Sequence, residues 1–190
     1  MDVFKALPAF DGARFKLRGV QKSDAADLLK VYSDERAVPF FNGDNCHGDD
    51  FHYTTIERMN EAVAFWLFSY ENGYFVRWAI IDKSTDTAVG TIELFHRDSD
   101  ADAYDNCGLL RLDLRSDCER RDAITEILRL LVPAAFDLFY CDKIATKIPP
   151  AANERLAAAA ALGYALSAAP LMGQAGEPYY DYYVLDKSRA

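Results

Sequence analysis

Apolar residues recur with two periods along this chain, and the changes of period mark its elements. The clearest stretch runs from Cys107 to Phe139. CGLLRLDL (Cys107–Leu114) reads as a buried strand, and RSDCERRD (Arg115–Asp122) reads as a charged elbow. Apolar residues then return at Ile124, Ile127, Leu128, Leu131, Val132, Ala135, Phe136 and Phe139, the i, i+3, i+4 spacing of an amphipathic helix. Pro133 inside that pattern lacks an N–H for the carbonyl of Arg129 and predicts a kink. A strand that runs into a helix start offers unpaired N–H groups and the positive end of a helix dipole, which suit an anion such as phosphate.

The same reading orders the rest. After a loose leader over 1–12, RFKLRGV (Arg14–Val20) alternates as a half-buried strand, and Ser23 caps a helix over Asp24–Tyr32. A polar irregular stretch, Asp34–Phe51, precedes a helix with a Thr54/Glu57 capping box and the apolar face Ile56, Met59, Val63, Trp66, Leu67 and Tyr70. Phe75–Asp82 and Thr87–His96 form a hairpin in which Gly90 marks a bulge or a close backbone approach. Beyond the central helix come a strand over Asp142–Ile148, an Ala-rich helix over Asn153–Leu162, and strands over Tyr164–Ala168 and Tyr179–Asp186. The order β-α-α-β-β-β-α-β-α-β-β predicts one α/β (α+β) domain over 1–190, with a mixed, mostly antiparallel sheet and helices on both faces.

Composition narrows the function. A net charge of −9 argues against nucleic acid and anionic membrane as partners and suits a cationic or amine-bearing substrate. The four cysteines show no C-x-x-C pair and read as free thiols of a reducing compartment. With no secretory leader and no long apolar run, a cytoplasmic location is expected.

CERRDAITEIL (Cys118–Leu128) and the element order resemble the GNAT N-acetyltransferases, in particular the branch that acts on ribosomal-protein N-termini. That family has an Arg/Gln-x-x-Gly-x-Gly/Ala loop before a helix that often begins Ala-Thr-Glu-Ala-Leu. Thr125, Glu126 and Leu128 match the helix, Glu119 stands near the basic position, and Arg120 and Asp122 replace glycines. The resemblance covers nearly the whole chain. It implies acetyl-CoA as co-substrate, a small-molecule or peptide amine as acceptor, and cofactor contacts from the backbone of Leu112 and Leu114 and from Glu119, Arg120, Arg121, Asp122 and Ala123. Leu162-Gly163-Tyr164 matches the family's Leu-Gly-Phe, whereas Ala152, Arg155 and Ala159 stand where Asn, Ser and the acid Tyr are expected.

Other features pull the other way. Asp117, Glu119 and Asp122 set three negative charges against Arg120 and Arg121 at a place suited to an anion, and Ser116 with Glu119 can form a capping box that starts the helix one turn early. Glu93, among apolar neighbours, is the candidate base, its pKa raised by burial, and Tyr140 is an acid by position only. Asp44, Cys46, His47, Asp49, Asp50 and His52 are metal-ligand types without a metal-site spacing, so no metal is assigned. Tyr179, Tyr180, Tyr182 and Tyr183 of the last strand alternate faces, two expected in the core and two along a cleft or an interface, which leaves a homodimer open. Acetyl transfer is therefore set beside two alternatives: a binding module of the same fold without acyl-CoA, and, more remotely, a metal-dependent activity of the His47/His52 loop.

Overall fold

The structure, a computed structural model, describes residues 2–189. Its strands are β1 (Phe10–Asp11), β2 (Phe15–Gly19), β3 (Val76–Asp82), β4 (Thr87–Arg97), β5 (Cys107–Leu114), β6 (Lys143–Lys147), β7 (Ala165–Leu166), β8 (Leu171–Met172), β9 (Pro178–Tyr179) and β10 (Tyr182–Asp186). Its helices are α1 (Ala25–Tyr32), α2 (Ile56–Glu71), α3 (Arg121–Leu138) and α4 (Asn153–Ala161). Eight strands form one sheet in the order β1-β2-β3-β4-β5-β6-β10-β7, and β8 pairs with β9 apart from it. Every neighbouring pair is antiparallel except β5 and β6.

Alternation along β3 shows how the sheet is covered. Trp78 and Ile80 join the core beneath α3 and α4, with Leu110, Leu112, Leu114, Ile124, Leu128 and Ala158. Ala79 and Ile81 face the other way into a core shared with α1 and α2, with Leu28, Tyr32, Met59 and Trp66. A fully buried Leu or Ile on either face contributes about 1.5–3 kcal/mol, so each helix is held by its apolar stripe rather than by propensity.

Several local expectations change. The leader is packed, not loose: Val3 is buried, Phe4, Leu7 and Phe10 lie against the core, and Trp78 Nε1–H donates to the Pro8 carbonyl at 2.9 Å. Ser23 lies within a 3-10 turn, and the buried Asp24 accepts from the Gln21 N–H and pairs with Arg18 at 2.7 Å. Thr55, not Thr54, caps α2, its side chain accepting from the Arg58 N–H. α3 runs through Pro133 as one helix to Leu138. The last strand splits at Asp181, whose φ of 66° breaks the extended path. Gly90 shows both expected features. The pairing of β3 with β4 shifts register beside it, and a Cβ there would stand 2.3 Å from the Asp113 carbonyl oxygen.

Candidate functional site

β5 and β6 pair only from Cys107–Lys143 to Leu110–Thr146, while β5 stays bonded to β4 as far as Leu114. Beyond Leu110 no strand among the described residues pairs with the β6-facing edge of β5, so the two parallel strands separate into a wedge below the start of α3. Leu112 and Leu114 lie on this stretch, with their side chains buried toward α3.

At the elbow, Ser116–Cys118 forms one 3-10 turn, and α3 begins only at Arg121, after an extended Arg120. The expected Ser116/Glu119 capping box is not made. Glu119 is turned away from the helix start and held by Arg155 through Nε and Nη2, a pair with side chains only 7% and 5% exposed. The charge imbalance expected from sequence also disappears, because Arg115 within the elbow and Arg14 and Arg155 from far along the chain enter. Asp117 takes Arg115 at 2.7 Å, Asp122 takes Arg14 at 2.7 Å, and Glu126 takes Arg14 Nε at 2.8 Å with the N–H groups of Arg14 and Phe15. The hydrogen bond from Arg14 holds the Asp122 carboxyl below its usual range.

The elbow borders an open depression of about 1040 Å³ lined by Arg120, Arg121, Asp122 and Glu154, but the N–H groups that would hold the diphosphate of an acyl-CoA are already bonded within the chain. The Glu119 and Arg120 N–H groups donate to the carbonyls of Ser116 and Cys118, and the Arg121 N–H donates to the carboxylate of Glu154 on α4 at 2.6 Å. One of the chain's own carboxylates therefore sits where a phosphate oxygen would be held. Behind it, Phe40 reaches from the segment between α1 and α2 into the core of the α3 face, and its carbonyl accepts from Arg155 Nη1 at 2.8 Å. Only displacement of Glu154 and withdrawal of Phe40 would open the path.

On the α1–α2 face the wedge adjoins a cavity of about 810 Å³. Its floor is a buried charge network. Arg77, lying 4.3 Å over the Trp66 ring, donates to Glu93 and, at 2.9 Å, to Asp113, while Tyr32 bonds both Asp113 and Arg77. Arg111 donates to the second oxygen of Glu93 at 2.9 Å and to the Asp44 carbonyl at 2.7 Å. Asp44 in turn holds Lys147 through both oxygens and accepts from the Tyr182 hydroxyl at 3.1 Å. The expectation for Glu93 is thus corrected. Burial alone would raise its pKa, but Arg77 and Arg111 bring it below the ordinary glutamate range and occupy both oxygens. A carboxylate so held is a poor proton acceptor.

Tyr140, in the left-handed region with φ 51°, is 70% exposed at the end of α3 and borders neither the cavity nor the elbow depression. The structure thus does not bring Glu93 and Tyr140 together. Among the described residues no three His, Cys, Asp or Glu side chains converge as a metal site. Asp44 and Asp49 are turned to Lys147 and Arg58 instead. Sequence reading passed over Arg77 and Arg111, whereas Tyr182 was among the last-strand tyrosines expected in the core or along a cleft and lines this cavity. The signal available was a charged residue inside each of three apolar strands, Arg77 in β3, Glu93 in β4, and Arg111 with Asp113 two positions on in β5, which cross-strand register stacks on one face.

A mixed sheet opened between two parallel strands, followed by an elbow and a long helix, defines an acyltransferase-like α/β domain. The Acetyltransferase (GNAT) domain family profile matches residues 14–165, and the chain belongs to that family. No curated protein matches it. Among solved structures it is similar to the ribosomal L7/L12 alpha-N-protein acetyltransferase RimL in complex with coenzyme A, with TM-score 0.71 and 14% identity over 96% of this chain and 100% of that one. The ribosomal-protein-S5-alanine acetyltransferase of Vibrio fischeri gives TM-score 0.64 and 16% identity over 93% and 94%. A GNAT-family acetyltransferase of Bacillus anthracis gives 0.70 and 11% over 95% and 99%. At such identities these likenesses show the fold alone. Among the described residues no helix is long and apolar enough to cross a membrane.

Proposed function

We propose that this chain is an N-acetyltransferase that moves an acetyl group from acetyl-CoA to a primary amine of a small molecule or a protein N-terminus. The observation that carries this reading is the β5–β6 wedge, whose β5 edge, Leu109 to Arg111, also lines the cavity of about 810 Å³. Family membership supplies the donor class, and neighbours named as ribosomal-protein acetyltransferases support an amine as acceptor. Within the cavity the chain's part is positional. Glu93 fixes Arg77 and Arg111, and Arg111 with Lys147 and Tyr182 fixes the segment around Asp44 as a wall. A neutral amine held in line at the end of such a wall needs little further assistance.

A second reading, a module of this fold that takes no acyl-CoA, is favoured by Glu154 on the Arg121 N–H and by Phe40 and the Arg155–Glu119 pair behind it. Calorimetry with acetyl-CoA decides between the two. Binding, with acetylation of any supplied primary amine, supports the transferase. No binding at millimolar acetyl-CoA, in the presence and absence of amines, overturns it in favour of the module.

A further inference from the structure

The cavity's chemistry narrows its ligand further, on the reading that it receives the acceptor. Each carboxylate on its wall already has a partner. Glu93 is shared between Arg77 and Arg111, Asp49 accepts from Arg58 at 2.7 Å and from the Tyr53 hydroxyl at 2.9 Å, and Asp98 accepts from His96 at 2.9 Å. A polyamine or a basic peptide entering here would give up water and, past the exposed Asp98 at the rim, find only carboxylates already held by arginine. What the wall leaves uncommitted is aromatic surface. Phe65 of α2 is 57% exposed and Tyr74 is 62% exposed, both bordering the cavity. Phe75 packs beside Phe65 with ring centres 6.0 Å apart, and Phe95 lines the opposite strand.

We propose that this cavity takes an amine carried on a flat aromatic body, the body lying against Phe65, Tyr74 and Phe95 and the amine directed at the wedge. Rings that stand open to water on a concave wall gain by being covered, and stacked or edge-on ring contacts give an aromatic ligand a preference over an aliphatic one of equal size. The paired charges beneath select against a second cation on the same ligand.

The test is calorimetry on the full chain without acetyl-CoA, using 2-phenylethylamine, spermidine and a hexapeptide with an N-terminal serine as probes. 2-Phenylethylamine is expected to bind most tightly. Phe65→Ala should weaken it about three- to tenfold, and Tyr74→Ala should weaken it in the same direction. Tyr180→Ala, an exposed ring outside the cavity, should leave it unchanged. Tighter binding of spermidine or of the peptide, or equal affinity of the Phe65→Ala and parent chains, overturns the proposal. Turnover with acetyl-CoA is read separately. 2-Phenylethylamine bound while acetyl-CoA does not bind and none of the three amines is acetylated overturns the transferase reading and leaves this one standing, whereas acetylation of spermidine with no binding of 2-phenylethylamine does the reverse.

Discussion

The two sides of the wedge are built from the same materials, arginines paired with carboxylates, and they differ in what the pairs leave open. On the acceptor side, Arg77, Glu93 and Asp113 are buried in the sheet with Arg111 half-buried beside them, and about 810 Å³ stays free above Arg77, Glu93 and Arg111. On the elbow side, an open depression of about 1040 Å³ lies outside the elbow, and Arg155–Glu119, spanning from α4 to the elbow and binding the Phe40 carbonyl, closes the way inward from it. Position, not composition, decides whether a buried ion pair shapes a pocket or closes one. A pair within the sheet satisfies its own lone pairs and hydrogens at no cost to the space above. A pair across a gap fills it.

The largest test of this contrast lies in the floor. Arg77→Met would leave Asp113 and one oxygen of Glu93 buried without a cation, and the loss of one partner of a buried pair costs about 3–5 kcal/mol. Urea unfolding should register that loss, while Arg58→Met, at a pair with 44% and 28% exposed side chains, should cost about 0–1 kcal/mol. Equal effects would mean the network is not a floor at all. On the elbow side, the triple change Phe40→Gly, Glu154→Gln and Arg155→Ser removes the obstruction. With acetyl-CoA at 100 times its dissociation constant, bound protein is stabilised by about 2.7 kcal/mol. The altered chain should therefore show a melting shift at lower acetyl-CoA than the parent. A parent that responds at the same concentration would remove the idea of a closed path.

The cavity's outer rim responds to acid. Arg97 and the N–H groups of Met172 and Tyr104 work against burial to hold Asp102 at about 2. A carboxyl lowered on folding contributes its stability fully above its unfolded value near 3.9 and loses it as pH falls through the folded value. Melting temperature should thus fall between about pH 4 and pH 2, and Asp102→Asn should flatten that slope. It should also cost about 2 kcal/mol at neutral pH through lost charge-assisted hydrogen bonds. An unchanged slope would place the acid sensitivity elsewhere.

How much of this was legible from sequence depends on the range of the interaction. The strand–elbow–helix unit was readable, because periodicity is local: β5 begins and ends at Cys107 and Leu114 as the pattern says. The fate of the elbow was not. Ser116 and Glu119 have the spacing of a capping box, yet Arg155, thirty-six positions away, takes Glu119 first. Arg14 likewise neutralises Asp122 and Glu126 from more than a hundred positions away. Local rules count only local charges, so three acids against two arginines looked like repulsion. Glu93 failed for the same reason. Its apolar neighbours along β4 suggested a raised pKa, whereas its cross-strand partners are Arg77 and Arg111. The packed leader was missed because its contacts are long-range: Val3, Leu7 and Phe10 keep the i, i+4, i+7 spacing of a helix yet form none, and they pack on a core built from strands and helices far along the chain.

The smallest effect is also the most specific one. Glu154 is exposed and makes a single charge-assisted bond to the Arg121 N–H, so it stabilises the start of α3 by about 0.3–1 kcal/mol. Glu154→Gln should cost no more than that in thermal stability, because Asp122 remains in the first turn. It should nonetheless raise affinity for a test anion such as inorganic diphosphate, since the competing carboxylate is gone while Arg120 and Arg121 stay beside the elbow depression. Diphosphate titrated by calorimetry against the parent and Glu154→Gln chains gives the comparison directly. A gain confined to the variant would mean that the chain's own carboxylate occupies an otherwise serviceable anion position. Equal, negligible binding to both would mean that side chains in place of glycine at the elbow exclude the anion regardless of Glu154, and that opening Phe40 alone could not restore acyl-CoA binding.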